Sequence, residues 1–304
     1  MSRITTRFGF HSTAAEVIDG IDLSGKRVIV TGGASGIGIE TSRAFASVGA
    51  DVTLAVRNVE AAAPVLSDLV SSTGNTRVRA ARLDLADRST IARFCDEWEG
   101  PLHVLVNNAG IMALPELQRT PEGWEVQFAT NYLGHFALAI GLHAAMAAAG
   151  NARIVSLSSS GHLFSPIIFD DPHFNFVPYD AFVAYGQSKT ATALFAVGAT
   201  RKWAAEGITA NAVMPGAIAT NLQRHTGGLR TPVERQKSPQ QGAATTLLAA
   251  TAPELEGIGG RYFEDCNEAV VVQRRGPDYT GVAPYAIAAA NADRLWAMTL
   301  ALLS

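Results

Sequence analysis

The chain has 304 residues, of which 48% are hydrophobic and 17% charged, and its net charge is −3. These values support one large α/β domain with a sizeable core, and they exclude a surface of clustered basic residues for nucleic acid. The two cysteines, Cys95 and Cys266, fit reduced core thiols better than a disulfide and favour a reducing, cytoplasmic location. Residues 1–25 contain neither a signal peptide nor a membrane anchor, so we expect an N-terminal arm followed by a single domain at residues 26–304.

Strand-like and helix-like segments alternate along the chain after the arm. Runs of apolar and β-branched residues predict strands at residues 26–31, 51–56, 77–83, 102–106, 152–157, 208–214 and 260–263. Helical periodicity predicts helices at residues 39–48, 59–72, 89–98, 124–149, 182–205, 240–250 and 284–303. Alternation of this kind forms parallel βαβ units with right-handed crossovers.

Two further segments are expected to cover a substrate pocket. Residues 162–183 form an irregular loop rich in phenylalanine, which predicts a covered apolar pocket, although a subunit contact fits the same pattern. Residues 221–238 are polar with two adjacent glycines, and this composition predicts a mobile lid.

A glycine-rich loop joins the first predicted strand to the first predicted helix. It contains Gly32, Gly36 and Gly38. The N-terminus of a helix offers unpaired N–H groups, and glycine lets a pyrophosphate approach the backbone closely. In the strand–loop–helix context the loop predicts dinucleotide binding, with a merely tight turn as the alternative.

The ends of the second and third strands carry the next candidate residues. Arg57 and Asn58 follow the second strand, 19 residues after Gly38, where a site for NAD usually has an acid. Because arginine pairs with a 2′-phosphate and an acid repels it, this position favours NADP(H) over NAD(H). Arg57 stacked on adenine, or solvated, is the alternative. Asp84, after the third strand, fits an adenine contact or a helix cap.

Tyr185 and Lys189 lie four residues apart in the helix predicted at residues 182–205, and so on the same face of it. A free phenol has a pKa of about 10. A neighbouring ammonium group lowers that value, which would suit the phenol to acid–base catalysis near neutral pH. The alternative is a half-buried tyrosine beside a solvated lysine. Asn131, within an apolar helix, must find a hydrogen-bond partner and fits a satisfied core amide.

Six motifs in order give the chain a resemblance to the short-chain dehydrogenase/reductase family. They are Thr31-Gly-x-x-x-Gly-x-Gly38, Asn107-Asn-Ala-Gly110, Asn131, Ser159, Tyr185-x-x-x-Lys189 and Pro215-Gly216. Within that family the sequence is similar to the retinol-dehydrogenase-like branch. The features shared with that branch are Asn131-Tyr-Leu-Gly-His-Phe136, Arg57-Asn58, Arg261-Tyr-Phe-Glu-Asp-Cys266 and the 26 residues from Ser159 to Tyr185.

The resemblance implies a single Rossmann fold in the α/β class, with a seven-stranded parallel sheet of order 3-2-1-4-5-6-7 and helices on both faces. It also implies a role for each catalytic position. Tyr185 would protonate the substrate carbonyl oxygen, and Lys189 would hold the nicotinamide ribose and lower the pKa of Tyr185. Ser159 would hydrogen-bond the substrate oxygen, with Ser158 as the neighbouring candidate. Asn131 would anchor a water that links Lys189 to solvent.

The same resemblance implies a cofactor site along the carboxyl ends of the strands. Its residues would be Gly32, Ser35, Gly36, Ile37 and Gly38 for phosphate; Arg57, Asn58, Asp84 and Leu85 for the adenosine side; Asn108, Ala109 and Gly110 for the ribose; Tyr185 and Lys189; and Pro215, Ile218 and Thr220 for the carboxamide.

The expected function is therefore an NADP(H)-preferring carbonyl reductase or alcohol dehydrogenase for a small apolar or aromatic substrate. No metal, membrane or nucleic-acid partner is expected, and a homo-oligomer is compatible with the resemblance. A catalytically silent NADP(H)-binding regulator of the same fold is the alternative. A nucleotide-sugar epimerase or dehydratase is disfavoured by the glycine spacing, and a hydrolase by the lack of a Gly-x-Ser-x-Gly elbow.

Overall fold

The computed structural model describes residues 3–304, and in this part of the chain eight strands form one sheet, in the order β3-β2-β1-β4-β5-β6-β7-β8. The strands are β1 (Arg27–Thr31), β2 (Asp51–Val56), β3 (Val78–Arg82), β4 (Val104–Asn107), β5 (Ala152–Leu157), β6 (Ile208–Met214), β7 (Tyr262–Glu264) and β8 (Asn267–Glu268). β1 to β7 are parallel, which confirms the predicted order of seven strands.

The eighth strand was not predicted from the sequence. β8 has two residues and runs antiparallel to β7. Asp265 and Cys266 join the two strands with φ values of 48° and 59°, so the chain reverses through two residues in the left-handed region. The short hairpin closes one edge of the sheet.

Helices cover both faces of the sheet. They are α1 (Ala14–Ile18), α2 (Ile37–Ser47), α3 (Ala63–Thr73), α4 (Arg88–Asp96), α5 (Val126–Phe128), α6 (Gly134–Gly141), α7 (His143–Ala148), α8 (Ala181–Trp203), α9 (Pro239–Thr251) and α10 (Ala289–Leu303). One core joins the sheet to α4, α6, α8 and α10, and the other joins it to α1, α2, α3 and α9. The central strands β4 and β5 are buried along their whole length, as parallel strands between two helical layers must be.

The helix predicted at residues 124–149 is wrong as one continuous element. Glu125 caps α5, a π-helical turn follows at Ala129–Leu133, and Leu142 separates α6 from α7. The wide turn brings the backbone N–H of Gly134 to the carbonyl of Ala129. It carries Asn131, whose side chain is bonded to a loop outside the helix, and such π turns are common at functional sites.

The described part of the predicted N-terminal arm is ordered against the domain; Met1 and Ser2 lie outside the described residues. Ile4 exchanges hydrogen bonds with Glu268 of β8, through its N–H to the carboxylate at 2.9 Å and its carbonyl to the N–H at 3.0 Å. α1 follows, with a capping box between Thr13 and Glu16, and packs against α9. None of the helices within residues 3–304 combines the length and hydropathy needed to cross a bilayer.

Candidate active site

A groove of about 1490 Å³ lies at the carboxyl ends of the parallel strands, which is the usual ligand site of open α/β sheets. It contains nearly all of the residues predicted from the sequence: Gly32, Ser35, Gly36, Ile37, Arg57, Asn58, Asp84, Leu85, Asn108, Ala109, Gly110, Ser158, Ser159, Tyr185, Lys189, Pro215, Ile218 and Thr220. Gly38 and Asn131 do not line the groove. Both lie behind its wall, where they support residues that do.

The glycine loop presents the N-terminus of α2 to the groove. Gly36 caps the helix with φ 53° and has no side chain to bond the first helical N–H groups. A Cβ at Gly38 would lie 2.4 Å from the carbonyl oxygen of Gly32, so only glycine lets helix and strand approach this closely. Uncapped N–H groups at a helix N-terminus fit a phosphate anion, and the loop therefore fits the predicted dinucleotide.

Thr31, the first residue of the glycine motif, joins the glycine loop to the loop after β4. Its Oγ accepts the N–H groups of Asn108 and Ala109, each at 2.9 Å, and its carbonyl accepts Asn108 Nδ2 at 2.7 Å. The Thr31 hydroxyl also lies 2.8 Å from Nε2 of the buried His135. These bonds tie the end of β1 to the loop after β4.

His135 is a neutral link between Thr31 and Asn131. Its Nδ1 lies 2.9 Å from the carbonyl oxygen of Asn131, which can only accept, so the proton sits on Nδ1 and Nε2 accepts from Thr31. Burial lowers the pKa of His135 to about 4, which keeps the ring uncharged at neutral pH. The sequence signal was a histidine one turn after Asn131.

The residues after β2 and β3 border the adenosine end of the groove. Within residues 3–304 no carboxylate forms an ion pair with Arg57, which leaves its guanidinium available to an anion. Asn58 Oδ1 accepts the N–H of Ala61 and so starts the next helical segment. Asp84 Oδ1 accepts the N–H of Ala86 in a local turn, whereas Asp87 caps α4. Asp84 therefore both lines the groove and holds its own loop.

Ser159, rather than Ser158, faces Tyr185. Ser159 acts on the Tyr185 hydroxyl by lowering its pKa, and the Ser159 Oγ accepts the N–H of Gly161 at 3.0 Å. Ser158 donates its hydroxyl to the carbonyl of Lys189 at 2.8 Å and so braces the backbone of α8. A Cβ at Gly161 would lie 2.6 Å from the Tyr185 ring, so the loop packs directly on the phenol.

Lys189 is buried beside Tyr185, as the four-residue spacing predicts. Its Nζ donates to the carbonyl of Leu157 at 2.9 Å and lies 5.6 Å from the centre of the Tyr185 ring. Burial lowers the pKa of Lys189 to about 8. The alternative of a solvated lysine at this position is therefore wrong, because only 5% of Lys189 is exposed.

The expectation that Lys189 lowers the pKa of Tyr185 is not met in this structure. Burial raises the pKa of Tyr185 to about 12, and the hydrogen bond with Ser159 opposes that rise. Desolvation disfavours the phenolate more than the neighbouring residues favour it. The Tyr185 hydroxyl is consequently protonated at neutral pH and suits a proton donor better than a proton acceptor.

Asn131 connects the π turn to the loop that follows β4. Its Oδ1 accepts the N–H of Ile111 at 2.9 Å, and its Nδ2 donates to the Ile111 carbonyl at 3.0 Å and to Ser188 Oγ at 2.9 Å. A Cβ at Gly110 would lie 3.2 Å from Asn131 Oδ1 and 3.4 Å from Lys189 Nζ. Asn131 is thus a satisfied buried amide that also sets the position of the groove floor beside Lys189.

The aromatic loop contributes to the groove through different residues from those expected. Phe174 is buried against Tyr179, and Phe176 is 91% exposed; neither lines the groove. Phe164, with Phe182 of α8 and Tyr279 of the C-terminal segment, does line it. The ring centre of Phe164 lies 6.0 Å from that of Phe182 and 5.7 Å from that of Tyr279. Within the loop predicted to cover a pocket, Phe164 therefore faces the groove, whereas Phe174 and Phe176 do not.

Two groups of residues near the groove gave no signal in the sequence. Phe10 and His11 of the N-terminal arm line it. Buried His162 accepts the N–H of Ala283 on Nε2 at 3.1 Å and donates from Nδ1 to the Ser159 carbonyl at 2.7 Å. It therefore ties Ser159 to the C-terminal segment.

Comparison with known proteins agrees with this geometry. The family model described as "short chain dehydrogenase" matches residues 26–228, which is more than half of the chain. The chain belongs to the short-chain dehydrogenase/reductase family. The predicted retinol-dehydrogenase-like branch within this family stays a prediction.

Among curated relatives, a "Probable oxidoreductase" of Streptomyces antibioticus is 52% identical over 289 residues, which cover 91% of this chain and 97% of the relative. The "Short-chain dehydrogenase/reductase prx1" of Penicillium roqueforti is 36% identical and covers 96% and 90%. Among solved structures, a gluconate 5-dehydrogenase from Burkholderia cenocepacia, in complex with NADP and tartrate, has a TM-score of 0.65 and 25% identity. The match covers 80% of this chain and 94% of that one. As a member of the family, the protein is an oxidoreductase with a nicotinamide cofactor.

Proposed function

We propose that the protein reduces an apolar or aromatic ketone or aldehyde to the alcohol, with NADPH preferred over NADH. The observation that carries this proposal is the grouping of Tyr185 with Ser159 and buried Lys189 on the wall of one groove, which begins at an uncapped helix N-terminus. Such a groove can hold a dinucleotide and a carbonyl compound side by side.

The cofactor preference is supported by the residue after β2. Arg57 lines the groove, and within the described chain it has no carboxylate partner. A guanidinium group forms charge-assisted, bidentate hydrogen bonds with phosphate, whereas it gains less from a ribose hydroxyl. NADP in the related gluconate 5-dehydrogenase structure is consistent with this assignment.

In the proposed reaction, a bound reduced nicotinamide supplies the hydride. Ser159 and Tyr185 together hold the carbonyl oxygen, and Tyr185 gives it a proton as negative charge develops there. Lys189, charged below a pKa of about 8, stabilises the phenolate that remains. Asn131 keeps Ile111 and Gly110 in place beside Lys189. A water held near the carbonyl of Asn131 would return a proton from solvent to Tyr185 by way of Lys189.

The substrate class is supported by the outer part of the groove. Phe164, Phe182 and Tyr279 line the same groove as Tyr185, and each of these three aromatic residues is more than a third exposed. Exposed rings on a concave surface favour a flat or bulky apolar group over a small polar one. The carbonyl would lie at Ser159 and the apolar part against these rings.

The test is a panel of ketones and aldehydes, from acetone to polycyclic aromatics, assayed with NADPH and NADH. We expect turnover of the bulky aromatic members with NADPH, and a loss of about 10²–10⁴-fold in kcat for Tyr185→Phe. Tyr132→Phe is the matched control, because its hydroxyl bonds Thr299 outside the groove, at 2.6 Å. NADPH binding without turnover of any carbonyl would instead favour the catalytically silent regulator.

A further inference from the structure

The N-terminal arm reaches the groove at an ion pair in which the ammonium group is buried and the carboxylate is a third exposed. Lys237, whose side chain is only 1% exposed, places Nζ 2.5 Å from Oδ1 of Asp265. The ring of Phe10 covers this ammonium group, with its centre 4.8 Å from Nζ. Asp265, Phe10 and the neighbouring His11 line the groove. We call Phe10, Lys237 and Asp265 the arm cluster.

The arm is held in this position by bonds to the edge of the sheet. Thr6 donates its N–H to Asn267 Oδ1 at 2.8 Å and its hydroxyl to the Cys266 carbonyl at 2.9 Å. Asn267 Nδ2 in turn donates to the Phe8 carbonyl at 2.9 Å. Past Phe10, Gln241 of α9 donates to the carbonyl of His11 at 3.2 Å. Phe10 is thus anchored on both sides along the chain.

The arm cluster supports the segment after β6, which was predicted to fix the nicotinamide carboxamide. The N–H of Lys237 donates to the carbonyl of Ala217 at 2.8 Å. Its side chain lies against Gly216, where φ is 104° and a Cβ would be 2.7 Å from Lys237 Cδ. The stem of Lys237 therefore forms the surface on which residues 215–217 rest.

The hairpin turn between β7 and β8 sets the position of Asp265. Asp265 and Cys266 have φ values of 48° and 59°, as the two central residues of a tight hairpin turn require, and aspartate tolerates this left-handed region better than most residues. The turn directs the carboxylate of Asp265 back toward Lys237 at the groove wall. A buried ammonium group needs such a partner, because a buried unpaired charge is strongly unfavourable.

We propose that the arm cluster positions residues 215–220 for the nicotinamide half of the cofactor, so that Phe10 of the N-terminal arm is part of the nucleotide-binding machinery. Phe10 covers the ammonium group of Lys237, the ion pair with Asp265 holds that group in place, and the stem of Lys237 supports Gly216 and Ala217. This inference rests on the proposed binding of NADP(H) in the groove.

The test compares two nucleotides that share the adenosine end of the site. Dissociation constants for NADPH and for 2′,5′-ADP, which lacks the nicotinamide half, are measured by calorimetry on the wild-type protein, Phe10→Ala and Asp265→Asn. We expect both variants to bind NADPH about tenfold more weakly or worse and 2′,5′-ADP within about twofold of the wild-type value. Phe10→Leu, which keeps an apolar cover, should recover most of the NADPH affinity.

Arg79→Gln serves as the control, since it removes an ion pair with Asp51 that lies on the surface. Phe10 is half-buried, so its truncation is compatible with folding, and thermal unfolding checks this for each variant. Unchanged NADPH affinity in both variants, or an equal loss of affinity for NADPH and 2′,5′-ADP, would overturn this inference and leave the proposed function standing. Failure of the wild-type protein to bind NADPH or NADH would overturn the proposed function as well.

Discussion

Replacing Lys189 by methionine should abolish turnover and yet stabilise the fold at neutral pH. Lys189 is buried with a charged ammonium group, which donates a hydrogen bond to the carbonyl of Leu157 and, within residues 3–304, forms no ion pair. Methionine has a similar length and no charge, so it fills the same space without the desolvation cost. The predicted loss of activity follows from the proposed role of Lys189 beside Tyr185.

The size of the effect follows from the pKa of Lys189, which burial lowers from 10.5 to about 8. This difference corresponds to a cost of about 3 kcal/mol whenever the group is charged in both the folded and the unfolded chain. The folded pKa is below the unfolded one, so the cost is complete below pH 8 and disappears as the pH rises to 10.5. The lost hydrogen bond to Leu157 offsets about 1 kcal/mol.

We therefore expect Lys189→Met to raise the free energy of unfolding by about 2 kcal/mol at pH 6.5 and by about zero at pH 10. Urea unfolding at the two pH values measures this difference, and the exposed Lys26 provides the control substitution Lys26→Met. A variant no more stable than wild type at pH 6.5, or a gain that persists unchanged at pH 10, would refute the reasoning. Wild-type-like kcat would refute the proposed role.

Three other predictions test the cofactor and substrate ends of the groove. Arg57→Asp should lower kcat/KM for NADPH about 10–100-fold and shift preference toward NADH; an unchanged ratio of the two values would contradict the assignment of Arg57. Gly38→Val should abolish NADPH binding and lower the thermal midpoint, because a Cβ there meets Gly32 at 2.4 Å; wild-type affinity would show that the loop can yield. Phe164→Ala should raise KM for bulky ketones more than KM for acetone, whereas Phe176→Ala, at an exposed position, should change neither KM value. Equal effects of the two substitutions would argue against a substrate contact at Phe164.

The predicted elements matched best where a local pattern was sufficient. Strand β1, the glycine loop and α2 follow from a β-branched run, three glycines and helical periodicity, all of which are short-range. The long helix failed because periodicity detects an apolar face but not a π turn, which depends on the bonds between Asn131 and Ile111. Those bonds join residues 20 positions apart and leave no local signature.

The pKa of Tyr185 and the aromatic residues of the groove were also beyond what local sequence patterns can predict. Spacing placed Lys189 next to Tyr185, but it carried no information on how much solvent reaches the phenol, and burial reverses the expected direction of its pKa. Likewise, the phenylalanine content of residues 162–183 predicted an apolar pocket, but it could not predict that Phe164 faces the groove and Phe176 faces solvent.

By itself, the sequence determined the alternation of strands and helices and the candidate cofactor and catalytic positions, since these follow from local patterns and motif spacing. Its resemblance to the short-chain dehydrogenase/reductase family implied the order of the strands. Only the tertiary structure decided which serine acts on Tyr185 and which aromatic rings line the groove. It also decided that Phe10 of the arm packs on the ammonium group of Lys237. Those features depend on burial and on contacts between segments up to some 250 residues apart, which tertiary packing alone creates.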